Sequence, residues 1–231
     1  MEKMTPQTAL AGGFSMDYRE LIVQSGLRMA ASGLTVETWG NISARDPGTG
    51  RIYLTPSAMK YDAIVPDDVV VCDPDGAVVQ GVRKPTVEME MHLAVYRARK
   101  DVNAIVHTHP VYSMVYACQG KEIPLFTDEA AQTLGDTVRV TPYALPGSRE
   151  LADHCAAALG ERANACLLRS HGAVAVGGDM DAAFKVCTVL ELTARILTMI
   201  ESTGGTPCPI SAGKIAAMQD FIKNHYGQDK P

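Results

Sequence analysis

The segment from Asn103 to Pro110, which reads NAIVHTHP, constrains the fold of this chain more than any other. The apolar residues 104–106 predict the start of a buried strand. Side chains alternate between the two faces of a strand, so His107 and His109 project from the same face. Scattered core or surface histidines do not normally form such a pair. The segment therefore predicts two imidazoles held side by side at the end of a strand.

A third imidazole and a carboxylate complete a candidate metal site. His171 follows a second apolar run, residues 165–168, and comes from a different segment of the chain. With Glu88, the three histidines form a ligand set typical of a tetrahedral divalent ion, zinc first, although manganese, cobalt and iron use similar donors. His92 lies one helical turn after Glu88 and is an alternative ligand. We assign His92 to packing beside the site.

The composition limits the class of protein and its partners. A chain of 231 residues without a visible linker fits one domain. A net charge of −5 and a pI of about 5.7 argue against a nucleic-acid or membrane partner. The six cysteines form no CxxC pair, and several lie in apolar runs, which indicates buried free thiols and a reducing compartment. With no signal-peptide pattern and no long apolar run, we expect a cytoplasmic protein.

Hydrophobic periodicity predicts alternating strands and helices within a single α/β domain. We predict an α/β/α sandwich with a mostly antiparallel central sheet over residues 1–231, flexible at 1–15 and 224–231. The predicted strands cover 40–45, 51–55, 69–73, 77–79, 104–109, 137–143 and 165–176. The predicted helices cover 17–33, 87–99, 111–118, 148–159, 179 or 181 to 200, and 211–225.

Five short motifs occur in one order along the chain and carry a family resemblance. They are TWGNIS at 38–43, LTPS at 54–57, KPTVE at 84–88, IVHTH at 105–109 and SHG at 170–172. Together they resemble the class II aldolase family, which includes L-fuculose-1-phosphate aldolase and L-ribulose-5-phosphate 4-epimerase. The resemblance runs from about residue 17 to 226. It implies that zinc is bound by Glu88, His107, His109 and His171.

Neutral donors in three loops predict a phosphate site. Backbone N–H groups near glycine and small polar side chains suit an anion. The same residue types are also ordinary turn formers. Two positions depart from similar aldolases: Val87 replaces a second hydroxyl residue, and Ala58 replaces a glycine. The predicted phosphate-binding residues are Gly40, Asn41, Thr55, Ser57 and Thr86.

The acid at the aldehyde oxygen has two candidates. Asp128 stands where the family aldolase has a tyrosine, and it could transfer a proton or simply cap a helix that starts at Glu129. Tyr226 resembles a second family tyrosine in the C-terminal tail, although chain ends are often frayed. In the family this tail closes over a site shared between subunits. The resemblance therefore implies a homotetramer with active sites at subunit interfaces.

The preferred hypothesis is a zinc-dependent aldolase that splits a ketose 1-phosphate into dihydroxyacetone phosphate and a small aldehyde. Glu88 would move the proton at the nucleophilic carbon, and Tyr226, with or without Asp128, would serve the aldehyde oxygen. Alternatives on the same metal site are a sugar-phosphate 4-epimerase, a sugar-acid phosphate decarboxylase and a methylthioribulose-phosphate enzyme. Resembling epimerases carry Asp in place of Glu88. A non-catalytic adducin-like module would not need the intact ligand set.

Overall fold

The computed structural model describes residues 16–226 and 228, and its centre is one eight-stranded sheet. In spatial order the strands run β4-β3-β2-β1-β5-β8-β7-β6. Neighbouring strands are antiparallel except β6 and β7, which are parallel. The mostly antiparallel sheet is thus confirmed. The strands are β1 (Asn41–Arg45), β2 (Ile52–Leu54), β3 (Val70–Cys72), β4 (Val78–Gln80), β5 (Ala104–Thr108), β6 (Arg139–Val140), β7 (Ala165–Leu168) and β8 (Gly172–Gly177).

Seven α-helices and two short 3-10 helices connect these strands in the described part of the chain. Asp17, Ser148 and Asp179 cap three of the helices by accepting backbone N–H groups of the first turn. The 3-10 helices are Tyr61–Ala63 and Pro66–Asp68. The α-helices are α1 (Tyr18–Ala31), α2 (Met89–Ala98), α3 (Val111–Gln119), α4 (Asp128–Thr133), α5 (Arg149–Leu159), α6 (Met180–Ser202) and α7 (Ala212–Asn224).

The helices cover both faces of the sheet. Alternation along β5 directs Ala104 and Val106 into one core and Ile105 into the other. The first core includes side chains of α1, α3, α4 and α6, and the second includes those of α2 and α5. The predicted α/β/α layering is confirmed. Fully burying one such aliphatic side chain contributes roughly 1.5–3 kcal/mol.

One predicted strand differs from the structure. The strand expected at 137–143 contains only Arg139–Val140, because Pro142 has no N–H for a ladder hydrogen bond. Residues 141–147 instead form an extended loop. The flexibility expected of the chain ends falls largely on residues 1–15, 227 and 229–231, which lie outside the described residues. None of the helices in 16–226 has the length and apolarity needed to cross a membrane.

The three central strands meet at one end of the sheet. Asn41 at the start of β1 is paired with His107 near the end of β5. On the other side of β5, Thr108 is paired with Ala173 at the start of β8. Residues that precede β1, follow β5 and precede β8 are therefore neighbours in space, although they are far apart in sequence.

Candidate metal and substrate site

Three histidines cluster at this end of the sheet. His107 lies within β5, His109 directly follows it, and His171 lies in the turn between β7 and β8. Their rings contact one another edge to face, with centroids 4.8, 4.9 and 5.2 Å apart. One ring nitrogen from each lies within 4.8 Å of the others. The predicted same-face pair and the third imidazole are thus together, and they could bind a metal ion.

Glu88 is the residue directly before α2, and it places its carboxylate against this triad. Oε2 lies 3.1 Å from Nε2 of His107, and Oε1 lies 3.4 Å from Nε2 of His171. The side chain is buried, and Oε1 has no hydrogen-bond partner among the described residues. Nε2 of His109 lies 3.0 Å from Nε2 of His107. Bonds of 2.0–2.1 Å to a tetrahedral zinc ion place neighbouring ligand atoms about 3.3 Å apart. The donor set fits such an ion.

Electrostatics in the cluster favour neutral rings at His109 and His171 beside an ionised Glu88 carboxylate, and a proton on His107. Burial, with repulsion from neighbouring imidazoles, lowers the pKa of His109 to about 3 and that of His171 to about 4. Burial alone would raise the pKa of Glu88, but His107 and His171 together hold it well below its usual range. Burial likewise opposes the charge on His107, but the Glu88 carboxylate raises its pKa above the ordinary value. The ligands suit a cation that replaces the proton on His107.

Backbone geometry allows the three histidines to lie close together. A Cβ on Gly172 would lie 2.6 Å from the carbonyl oxygen of Thr108 and 2.8 Å from Cε1 of His107. Only glycine lets β8 begin this close to the ring. Ser170, directly before His171, has a φ of 54°, in the left-handed region that side chains rarely adopt. Such strain often occurs at functional sites, where the surrounding structure maintains it.

A cleft of about 290 Å³ opens over Glu88, His109 and His171. Cavity size does not single out this cleft, because cavities of about 440 and 620 Å³ lie elsewhere. Neither of those is lined by a histidine of the described chain. The cleft therefore stands out by its chemistry.

Four of the five predicted phosphate residues line this cleft, namely Gly40, Asn41, Ser57 and Thr86. The position of Thr55 differs from the prediction. Its side chain is buried, and its hydroxyl accepts a hydrogen bond from the N–H of Ile42 at 3.2 Å. The hydroxyl of Thr55 therefore links β1 to the loop after β2. Ala58, where similar aldolases have glycine, has a φ of 56° and lines the same cleft.

His92 is buried behind the cleft and lies outside the triad, as the packing assignment predicted. Its Nε2 lies 2.5 Å from Oδ1 of Asn41, and the amide nitrogen of Asn41 donates to Oε2 of Glu88 at 2.8 Å. Burial lowers the pKa of His92 to about 3, so its ring is neutral. Asn41 therefore contacts Glu88 as well as lining the cleft.

The two acid candidates lie outside the cleft of the single chain. Asp128 is exposed at the first residue of α4, where Thr127 and not Asp128 is the N-cap. The expectation that Asp128 caps the helix is therefore wrong, although its charge suits a helix N-terminus. Tyr226 is 61% exposed, and its ring lies near Phe221 at the end of α7. Neither side chain is brought to the triad by the fold of the single chain.

Trp39 and Pro146 are among the cleft residues that sequence reasoning missed. Trp39 stacks on His109, with ring centroids 6.0 Å apart and an interplanar angle of 20°. Pro146 reaches the cleft from the loop that replaces the expected strand. The two prolines of that loop, Pro142 and Pro146, were the available signal. For Trp39, the signal was a large aromatic residue directly before a glycine in the first motif.

The chain matches the family model described as Class II Aldolase and Adducin N-terminal domain over residues 20–198. A 5-deoxy-D-ribulose 1-phosphate aldolase of Bacillus thuringiensis serovar kurstaki is 40% identical over 186 residues, which cover 80% of this chain and 86% of the relative. A Rhodospirillum rubrum protein named 5-methylthioribulose-1-phosphate/5-deoxyribulose-1-phosphate aldolase is 36% identical over 183 residues, covering 79% and 81%.

A solved structure has the same fold. It is an L-fuculose 1-phosphate aldolase with a TM-score of 0.86 and 33% identity. The match covers 90% of this chain and 97% of that one. Fold and sequence comparisons therefore agree over most of the chain, and the range that the family model matches contains the cluster.

Proposed function

Because the chain belongs to the class II aldolase and adducin N-terminal domain family, we propose that it is a zinc-dependent aldolase acting on a ketose 1-phosphate. The products of cleavage would be dihydroxyacetone phosphate and a small aldehyde. Relatives that cover most of the chain are named aldolases, which are lyases. The observation that carries the proposal is the buried Glu88 carboxylate, set against three imidazoles with one oxygen unpaired.

Glu88, His107, His109 and His171 would hold the metal ion, with zinc preferred and manganese, cobalt or iron as alternatives. A bound divalent ion supplies Lewis-acid charge for the oxygen that becomes negative when the carbon–carbon bond breaks. The protein contributes a closed back wall, since His107 and His92 are fully buried. The open side of the cluster faces the cleft, where a substrate can approach.

Glu88 would deliver a proton to carbon 3 after its bond to the aldehyde carbon breaks, and would remove that proton from dihydroxyacetone phosphate in the reverse reaction. Its Oε2 is held by Asn41, whereas Oε1 has no hydrogen bond within the described residues. A free carboxylate oxygen beside the cleft can accept a proton and return it. Oε1 is therefore the oxygen we assign to proton transfer.

The phosphate would be bound by neutral donors around Gly40, Asn41, Ser57 and Thr86. No Lys or Arg is among the described residues that line the cleft, so backbone and hydroxyl donors must provide the binding. The amide nitrogen of Asn41 has two hydrogens, and its bond to Glu88 uses one. Thr55 supports this wall from behind.

The far end of the sugar would meet an apolar rim. Trp39, Val87 and Pro146 line the cleft, and the first two side chains are more than half exposed. Such a surface suits a methyl or thioether group better than a hydroxyl-rich chain. Two relatives are named for 5-deoxy or 5-methylthio substrates. We therefore propose a 5-deoxy or 5-methylthio pentulose 1-phosphate as the substrate class.

The acid at the aldehyde oxygen would be Tyr226 of the partner subunit in a homotetramer. Within one chain, Tyr226 is exposed and lies outside the cleft. Exposed apolar side chains of Val87, Tyr143 and Leu145 offer a surface that a second copy could cover. Asp128 is the alternative acid, and like Tyr226 it is exposed and lies outside the cleft of one chain.

The cysteines support a proposal for the compartment. Sγ of Cys155 and Sγ of Cys166 are 3.7 Å apart and unbonded, and all six cysteines are free. Free thiols this close persist in a reducing compartment. We therefore propose the cytoplasm.

A sugar-phosphate 4-epimerase is the second candidate. Its support is the TWGN run at 38–41, and the presence of Glu88 instead of Asp counts against it. A decarboxylase would use the same ligands, with carbon dioxide as a product. A non-catalytic module would not need the buried carboxylate and the imidazoles, which are all in place here.

The test is release of dihydroxyacetone phosphate from a panel of ketose 1-phosphates, measured by a coupled reduction. We expect turnover with 5-deoxy and 5-methylthio forms and about one zinc per chain. His107→Ala should lose both metal and turnover, while His154→Ala, on α5, should keep both. Full activity after exhaustive chelation would contradict metal dependence. Epimer formation without release of either product would favour the epimerase.

A further inference from the structure

A continuous chain of buried hydrogen bonds runs from Glu88 into the core. Oε2 of Glu88 is bonded to Asn41, whose Oδ1 lies 2.5 Å from Nε2 of His92. Nδ1 of His92 lies 2.6 Å from Oγ of Ser43, which lies 2.9 Å from the hydroxyl of Tyr96. All five side chains are at least 95% buried. Water therefore has little access to any link.

This series of hydrogen bonds forms because the spacing of residues along the helix matches the spacing along the strand. Glu88, His92 and Tyr96 lie four residues apart along α2, and Asn41 and Ser43 lie two apart on one face of β1. Four residues of helix rise about 6 Å, and two residues of strand rise about 6.6 Å. Each helix residue therefore lies level with a strand residue. The contact forms a polar stripe in an otherwise apolar core.

The directions of these hydrogen bonds are set by chemistry. An ionised carboxylate only accepts, so Asn41 must present its NH₂ group to Glu88. The Oδ1 atom of Asn41 then faces His92, whose Nε2 must carry the proton. In a neutral ring Nδ1 must then accept, and its donor is the hydroxyl of Ser43. Ser43 in turn accepts from Tyr96. Every donor therefore points towards Glu88.

We propose that Ser43, His92 and Tyr96 are positioning residues that act through Asn41 to hold Glu88 with Oε2 anchored and Oε1 free. Aligned hydrogen bonds polarise one another, so the series of hydrogen bonds acts as one extended donor to the Glu88 carboxylate. The reverse direction would require Asn41 to turn its oxygen towards Glu88, placing two acceptors face to face. The functional part of this inference rests on the proposed proton transfer by Glu88. The hydrogen-bond direction does not.

The direction is tested on the metal-free protein by ¹⁵N NMR of the histidine rings at pH 7. We expect His92 to carry its proton on Nε2 and to show an unprotonated Nδ1 that accepts a hydrogen bond. A proton on Nδ1 of the neutral ring, or a doubly protonated ring, would overturn the proposal. This measurement needs no substrate, so it remains decisive if the protein proves not to be an aldolase.

The positioning role is tested by Ser43→Ala and Tyr96→Phe, with Thr193→Val as the matched control. Thr193 is a buried hydroxyl residue on α6, bonded only to the carbonyl of Val189 among the contacts described. Losing one buried hydrogen bond corresponds to a change of about tenfold in a rate or equilibrium constant. We expect Ser43→Ala to lower kcat about tenfold with KM and zinc content unchanged, and Tyr96→Phe to lower it less. Thr193→Val should leave kcat unchanged.

The outcomes separate positioning from a structural role. If kcat stays at the wild-type value in a folded, zinc-loaded Ser43→Ala protein, the positioning role is overturned. An equal loss of kcat in Thr193→Val would also overturn it, because any buried hydroxyl would then have the same effect. If Ser43→Ala does not fold, Tyr96→Phe and the ring tautomer still decide. Absence of aldolase turnover in the wild type contradicts only the proposed function.

Discussion

Trp39 stacks on His109 at the lip of the cleft, and Trp39 is the only tryptophan in the chain. Its indole is 59% exposed, and its partner is one of the three imidazoles that could bind a metal. Stacking couples the electronic environment of the indole to the charge on that imidazole. The single tryptophan of the chain is thus in contact with the candidate metal site.

Metal binding should therefore be visible in tryptophan fluorescence. Titrating zinc into metal-free protein should change the emission until about one equivalent is bound, because the ion alters the charge on His109. Trp39→Phe should abolish the signal while a competing chelator still detects binding. A protein that takes up one zinc by mass spectrometry with constant emission would contradict this stacking.

Metal affinity should fall in acid. The pKa of His107 is raised above 6.5 because the attraction of Glu88 exceeds the effect of burial. A metal ion needs the neutral ring, so affinity is constant above this raised pKa and falls about tenfold for each pH unit below it. One proton should be released per ion bound there. Calorimetry in buffers of different ionisation enthalpy measures that proton. A flat affinity between pH 5 and 8 would be inconsistent with the assignment.

Glu88→Gln should separate metal binding from catalysis. Three imidazoles remain, so the variant should keep much of its zinc, while turnover should fall roughly a hundredfold or more because proton transfer is lost. Glu90→Gln is the control, since Glu90 pairs with Arg97 on the surface side of α2. Zinc content and dihydroxyacetone phosphate release should be measured on both. Wild-type turnover in Glu88→Gln would remove Glu88 from the mechanism.

Tyr226→Phe should slow carbon–carbon cleavage by roughly a hundredfold, because the proposed mechanism assigns the proton at the aldehyde oxygen to the hydroxyl of Tyr226. Metal-assisted proton exchange on dihydroxyacetone phosphate should persist, since that step needs Glu88 and the ion alone. Tyr18→Phe, whose ring stacks on Tyr53 away from the cleft, is the control. Equal loss of exchange and cleavage would indicate a structural tail, and no loss of either would refute the acid role.

Gly172→Ala should destabilise the protein by about 2 kcal/mol or more, because the new methyl group has no space beside Thr108 and His107. Gly213→Ala in α7 has nothing within 4 Å and should instead stabilise the helix by about 0.5–1 kcal/mol. Urea unfolding of both variants measures the difference. If Gly172→Ala leaves the stability unchanged, β8 can move away from the ring of His107.

Sequence patterns predicted the elements whose signal lies within one short segment. Alternation along 104–108 predicted β5 and its same-face histidines, and Ser148 and Asp179 predicted helix starts. The family resemblance and the α/β/α fold were confirmed for the same reason, since both rest on several segments in order.

Side-chain direction could not be predicted in the same way. Thr55 turns its hydroxyl to Ile42, because the register of β1 leaves a backbone N–H there. Asn41 was expected at the phosphate, yet its amide also bridges Glu88 and His92. Such choices depend on which strand residue lies level with which helix residue. That relation appears only when distant segments have packed.

The pairing of β1 with β5 and of β5 with β8 also determines when the metal site can form during folding. Asn41 and His107, like His107 and Val174, are joined across more than sixty residues of intervening chain. Closing such loops costs entropy that local contacts do not repay early. The candidate ligand His171 can therefore meet His107 and His109 only after the ladder between β5 and β8 has formed, and the ladder between β1 and β5 brings Asn41 to His107, where it contacts Glu88. A metal ion should accordingly slow unfolding and leave the folding rate almost unchanged.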